Sequence, residues 1–253
     1  DITHQSMTTI GATDTRSIKL DKFSISDYKL DFGLQYTYKL NKKNTINIGA
    51  VYTLGRTLHG DAYKYHQTGA ESNGSIYVQS QTGDTIPNPF KMPHTFGIGL
   101  TYVYDNRLTI GVDYTLQKWN TADLAWSKFN KESVEMNSRT KIAFGAEFVP
   151  SYISHNYLKR IRYRMGAYYS SPYNKVSYTS PDTGTTSFQD GAREYGVSIG
   201  FGLPMFQSKS MLNISGQYIK VSPKFKGLME ENYLRINIGL TFNERWFMKW
   251  KVD

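Results

Sequence analysis

DYKLDFGLQYTYKL, residues 27–40, has an apolar side chain at every even position: Tyr28, Leu30, Phe32, Leu34, Tyr36, Tyr38 and Leu40. The odd positions hold Asp27, Lys29, Asp31, Gly33, Gln35, Thr37 and Lys39. An extended strand sends successive side chains to opposite faces, so this segment presents one apolar face and one polar face. A helix would scatter both classes around its circumference.

The same alternation returns along the chain. Ile46, Ile48, Ala50, Tyr52 and Leu54 share one phase, as do Phe96, Ile98, Leu100, Tyr102 and Tyr104. Further strands are expected over residues 108–116, 140–148, 160–169, 194–203, 211–218 and 233–242. The total is about nine strands of roughly ten residues, the length a tilted strand needs to cross a bilayer. The connections are unequal. Residues 41–44, 105–107 and 204–210 are short, 149–159 is a longer member of that class, and 59–93, 120–139 and 171–192 are long. Short turns alternating with long loops fit a transmembrane barrel whose turns face the periplasm and whose loops face outward. A soluble sandwich uses shorter strands and turns of similar length at both ends.

The totals agree. The 253 residues have a mean hydropathy of −0.50 and 15% aromatic side chains, including 20 Tyr and 13 Phe. No run of about 18 apolar residues offers a transmembrane helix. With no cysteine, thiol chemistry is excluded. The formal charge of +9 comes from Lys and Arg scattered singly, which favours anionic head groups over nucleic acid as the counterpart. The fold expected is therefore an all-β, antiparallel up-and-down barrel in the bacterial outer membrane.

Position within that barrel assigns roles. Tyr52, Tyr114 and Tyr218 fall at one level on the apolar face, followed by Arg56, Lys118 and Lys220. A tyrosine level capped by cations suits a membrane interface, so these three are expected to meet lipid head groups and lipopolysaccharide phosphates. Lys29, Asp31, Asp113, Lys141, Glu147, Arg160, Arg162, Arg164, Glu194 and Arg235 fall on the polar phase and are expected to face the lumen. Arg160, Arg162 and Arg164 read as a basic ladder that Glu147 and Glu194 could neutralise. Inward glycines such as Gly97, Gly99, Gly111, Gly196, Gly200 and Gly202 leave room for a plug, a ligand or strand curvature. If the last strand descends to the periplasm, residues 1–26 lie outside the cell, residues 27–242 carry the strands, and 243–253 form a tail or strand extension. Strands are then expected upstream, because single-chain bacterial barrels prefer an even number. An alternative tenth strand within 1–26 has a weaker pattern.

No nucleophile elbow, phosphate loop or metalloprotease motif is present, so no enzyme activity and no cofactor are expected. His59, Asp61 and His66 are the only candidate metal cluster, and solvated loop histidines are the simpler reading.

MPHTFGIGLTYVYDNRLTIGVDYTLQKW, residues 92–119, resembles part of the FadL/TodX-type outer-membrane transporters of long-chain fatty acids and other hydrophobes. The shared features are a proline leading into a Gly-x-Gly strand, a tight turn, and a strand carrying Asp113 and ending at Trp119. RYRMGAYYSSPY, residues 162–173, and ENYLRINIGLTF, residues 231–242, resemble later strands of that family. The resemblance implies a fourteen-stranded barrel with an N-terminal hatch, of which these would be strands six to fourteen. It also implies uptake of a hydrophobic small-molecule ligand. A diffusion porin, or a barrel serving as scaffold or shuttle of a surface or secretion complex, are the alternatives.

Overall fold

The computed structural model describes residues 2–10, 15–72, 75–122, 135–179, 184–205, 210–223 and 229–242. The tail at 243–253 lies outside them. The early strands are β1 (Ile2–Ile10), β2 (Thr15–Ile25), β3 (Asp31–Lys39), β4 (Asn44–Thr53), β5 (Arg56–Thr57), β6 (Gly60–Ser72), β7 (Ser75–Pro87) and β8 (Lys91–Met92). They are followed by β9 (Thr95–Tyr104), β10 (Leu108–Gln117), β11 (Arg139–Phe148), β12 (Arg162–Ser170), β13 (Lys175–Thr179), β14 (Thr186–Asp190), β15 (Ala192–Pro204), β16 (Met211–Pro223) and β17 (Glu231–Thr241).

Nine of these form one antiparallel sheet in the order β17-β16-β15-β12-β11-β10-β9-β4-β3. They are the nine segments the alternation picks out, and each pairs with its neighbour along the chain once the loop hairpins are skipped. Turn chemistry fixes the register. Between β9 and β10, Asp105 and Asn106 both take positive φ (49° and 52°), and the Arg107 N–H donates to the Tyr104 carbonyl at 2.8 Å. Two left-handed central residues make the tight turn whose twist matches its flanking strands, a conformation that Asp and Asn tolerate. Between β3 and β4, the Asn41 side chain accepts from the backbone N–H groups of Lys43 and Asn44, each at 2.9 Å.

The apolar face of this sheet has no covering layer among the described residues. Leu34 is 74% exposed, Ile98 62%, Leu100 51%, Ile199 57% and Ile238 73%. The few buried apolar side chains, Ala62, Ile86, Val149, Ile161 and Ile219, do not lie beneath it as a second layer. An apolar face of this extent marks a surface that meets either a membrane or another protein. No described helix is long and apolar enough to cross a membrane.

Three expectations change. Residues 1–26, read as an external loop, contain the β1–β2 hairpin. It pairs with the β6–β7 hairpin of the 59–93 connection in a separate four-stranded sheet, order β1-β2-β6-β7. The weak pattern at 15–25 is thus a strand, but not a tenth strand of the large sheet. The 171–192 connection also carries a hairpin, β13–β14. These segments contain too few evenly spaced apolar residues to show a period, and their strands are held by backbone pairing to one another. Finally, β12 starts at Arg162, because residues Tyr157–Arg160 form a 3-10 turn capped by Asn156, whose side chain accepts from the Leu158 N–H at 3.0 Å. Arg160 therefore leaves the predicted ladder.

Candidate functional site

The polar face of the large sheet carries two charge clusters and a hollow. In the first cluster, Glu147 on β11 sits opposite Arg164 on β12. Its carboxylate accepts from Arg164 Nε at 2.6 Å and from Arg162 Nη1 at 3.1 Å. Arg164 Nη1 also donates to Asn213 Oδ1 on β16 at 2.7 Å. Arg162 and Arg164 lie opposite Gly202 and Gly200 of β15. A Cβ at Gly202 would come within 3.1 Å of Arg162 Cβ, so the missing side chain lets the arginine lie flat on the sheet.

The second cluster stands further along the same strands. Glu194 accepts a short hydrogen bond from the Tyr168 hydroxyl and lies 3.8 Å from Arg139 Nη2. Arg139 Nε donates to Ser170 Oγ at 2.7 Å, and Lys141 Nζ stands 4.7 Å from the Tyr168 ring centre. Tyr168 lies over Gly196, where a Cβ would meet the ring Cε1 at 2.0 Å. Between β3 and β10, a hollow of 420 Å³ is lined by Gln35, Asn47, Gly49, Gly99, Thr101 and Asp113.

Most of the predicted inward charges therefore share one face; Glu147 neutralises Arg162 and Arg164 of the predicted ladder on the adjacent strand, whereas the arginine beside Glu194 is Arg139, two strands away on β11, and not the ladder. Asp31 accepts from Thr53 Oγ1 at 2.5 Å and pairs with Lys29 at 3.0 Å. Arg235 lies opposite Gln217. Arg139, Tyr168 and Asn213 were missed: Arg139 was assigned to the end of a loop, and a polar-phase Tyr or Asn carries no charge signal. The three outward cations each have a partner in the chain. Lys220 pairs with Glu230 at 2.6 Å, Lys118 lies 5.4 Å from the Phe96 ring centre, and Arg56 reaches Asp27 at 3.3 Å. A phosphate at these positions would compete with those contacts.

Asp27 precedes β3 and acts as a joint. Its carboxylate accepts the His59 N–H at 2.9 Å and the Tyr28 N–H at 2.7 Å, and lies 3.2 Å from His59 Nδ1. Arg56 stacks over the Tyr28 ring at 4.1 Å. Donation from the His59 backbone, then from Tyr28 and the His59 side chain, with the Arg56 charge, lowers the Asp27 pKa to about 2 against a smaller desolvation effect. This joint ties the start of β3 to the long connection after β4. It also occupies His59, and among the described residues no three His, Cys, Asp or Glu side chains gather as a metal site.

A family model described as BamG matches residues 1–253, the whole chain. The chain belongs to the BamG family. That match overturns the FadL/TodX resemblance, and with it the fourteen-strand count and hatch that the resemblance implied. The motifs behind it, Gly-x-Gly in a strand, a two-residue turn and aromatics at strand ends, recur in antiparallel sheets generally. No curated protein and no solved structure matches the chain.

Proposed function

We propose that this BamG-family chain is wall of a transmembrane β-barrel in the bacterial outer membrane, working as a non-enzymatic scaffold for partners in the Bam complex. The observation that carries the reading is the pairing of an uncovered apolar face with a charge-neutralised polar face on one nine-stranded sheet. Lipid is the solvent that an apolar sheet face of this size needs, and closure would remove the two edges at β3 and β17. The family name points to the Bam complex. The polar face supports a scaffold better than an open pore, since Glu147, Arg162, Arg164 and Asn213 satisfy one another across three strands. The separate sheet of β1, β2, β6 and β7, built from the first segment and the 59–93 connection, is the surface proposed for protein contact.

The test is native purification of the tagged full-length protein in mild detergent, with subunits identified by mass spectrometry and small molecules extracted in parallel. Bam-complex subunits in fixed ratio are expected. A protein that runs alone and opens ion-conducting channels would replace the scaffold with a porin. One that runs alone with a stoichiometric hydrophobe would restore uptake.

A further inference from the structure

Among the described residues, the apolar face holds a groove at Ala146. At Ala146 on β11 a small side chain sits among large ones, and the resulting cavity of 260 Å³ is lined by Leu108, Phe148, Tyr163, Met165, Ile199 and Phe201. It spans four adjacent strands, β10, β11, β12 and β15, about 14 Å at the ordinary strand spacing. Its walls are set: the Tyr163 and Phe201 rings meet edge-on at 5.9 Å, and the Tyr163 hydroxyl donates to the Leu158 carbonyl at 3.0 Å.

That last bond joins the groove to the loop between β11 and β12. The loop is built, not loose. Val149 is fully buried and its N–H donates to the Arg107 carbonyl at 2.7 Å, the Ser151 N–H donates to the Lys159 carbonyl at 2.8 Å, and the Tyr152 hydroxyl donates to the Asn106 carbonyl. Yet Ile153 is 92% exposed and Leu158 62%. Basic groups stand at the same end. Arg107 precedes the groove residue Leu108, and Lys159 follows Leu158. Arg160 has its Nε buried with no acceptor among the described residues. Among the described residues of these two turns the acid is Asp105, which pairs with Arg107 at 3.5 Å.

An apolar groove ending in exposed apolar side chains, with excess cations beside it, matches a molecule that has an acyl chain and an anionic head. We infer that this end of the wall binds one anionic glycerophospholipid, its acyl chain in the Ala146 groove and its phosphate at Lys159 and Arg160. The inference rests on the membrane-wall reading above. Protein docking fits less well, because the groove lies on the face the lipid covers, while Ile153 and Leu158 continue that face to its edge.

The experiment is native mass spectrometry of the full-length protein, titrated with phosphatidylglycerol or phosphatidylcholine, alongside flotation with vesicles of the same lipids. One phosphatidylglycerol should be retained in preference to phosphatidylcholine. Ala146→Trp should remove the retained lipid. Lys159→Gln with Arg160→Gln, which leaves the strands intact, should reduce the preference about fivefold for each cation removed. Equal retention of the two lipids, or unchanged retention in both variants, overturns the site while flotation upholds the membrane reading. Loss of a Bam-complex subunit with unchanged lipid in the variants reassigns the groove to a protein. Failure to float overturns the membrane reading itself.

Discussion

Arginine placed at two adjacent positions of β9 separates a lipid-facing wall from any soluble arrangement. Leu100 is the sixth of ten residues in β9, is 51% exposed on the apolar face, and pairs with Ile48 and Val112. A ten-residue strand tilted by about 40° rises roughly 25 Å, which puts Leu100 near mid-height in the apolar band. Leu100→Arg should then cost about 2–4 kcal/mol, the penalty for arginine at the bilayer midplane. That corresponds to a loss of roughly 30- to 900-fold in the folding equilibrium. Thr101 points to the other face, opposite Asn47 and Gly111, and lines the 420 Å³ hollow that also holds Asp113. Thr101→Arg has space and a carboxylate nearby, so a change of about 0.5 kcal/mol or less is expected. The assay is reversible urea unfolding of the full-length protein in phospholipid vesicles, followed by tryptophan fluorescence and heat-modifiable electrophoretic mobility. The reasoning is refuted if Thr101→Arg costs as much as Leu100→Arg, since the two faces would then meet the same surroundings.

Three further outcomes follow from the inner face and the joint. Glu147→Gln leaves Arg162 and Arg164 without their shared carboxylate. Because the three side chains are between 25% and 37% exposed, the cost should be about 1–2 kcal/mol, partly recovered by adding Arg164→Gln, as thermal unfolding would show. Gly196→Ala should displace the Tyr168 ring and cost about 1–3 kcal/mol, whereas the same change in a Tyr168→Ala background should be nearly neutral. The depressed Asp27 pKa means that its contribution is complete above the ordinary carboxylate value of 3.8 and is lost as pH falls toward about 2. Hydrogen exchange at the His59 amide should therefore stay protected from neutral pH to about 4 and lose protection below it. In Asp27→Asn the protection should be weak at every pH.

Some of this could be read directly from residues. The even-phase series from Tyr28 to Leu40 and its eight repeats placed all nine strands of the large sheet, because a period of two has no other cheap backbone solution. Asp105 and Asn106 gave the tight turn for the same local reason. Arg164 and Glu147 each fall on the polar phase of their own strand, which brought them to one face before any strand pairing was known.

The amino-acid sequence alone thus determined which side chains share a face, since that depends only on the alternation along each strand. Tertiary structure decided what depends on register between strands: that Glu147 reaches two arginines, that Tyr168 lies across Gly196, and that Asp27 closes on His59. It also decided that the polar segments at 15–25 and 60–72 pair with each other, because backbone hydrogen bonds hold that sheet and leave no apolar period to read. The Ala146 groove belongs to the same class, because one small residue becomes a cavity only once the large neighbours on three other strands are set around it.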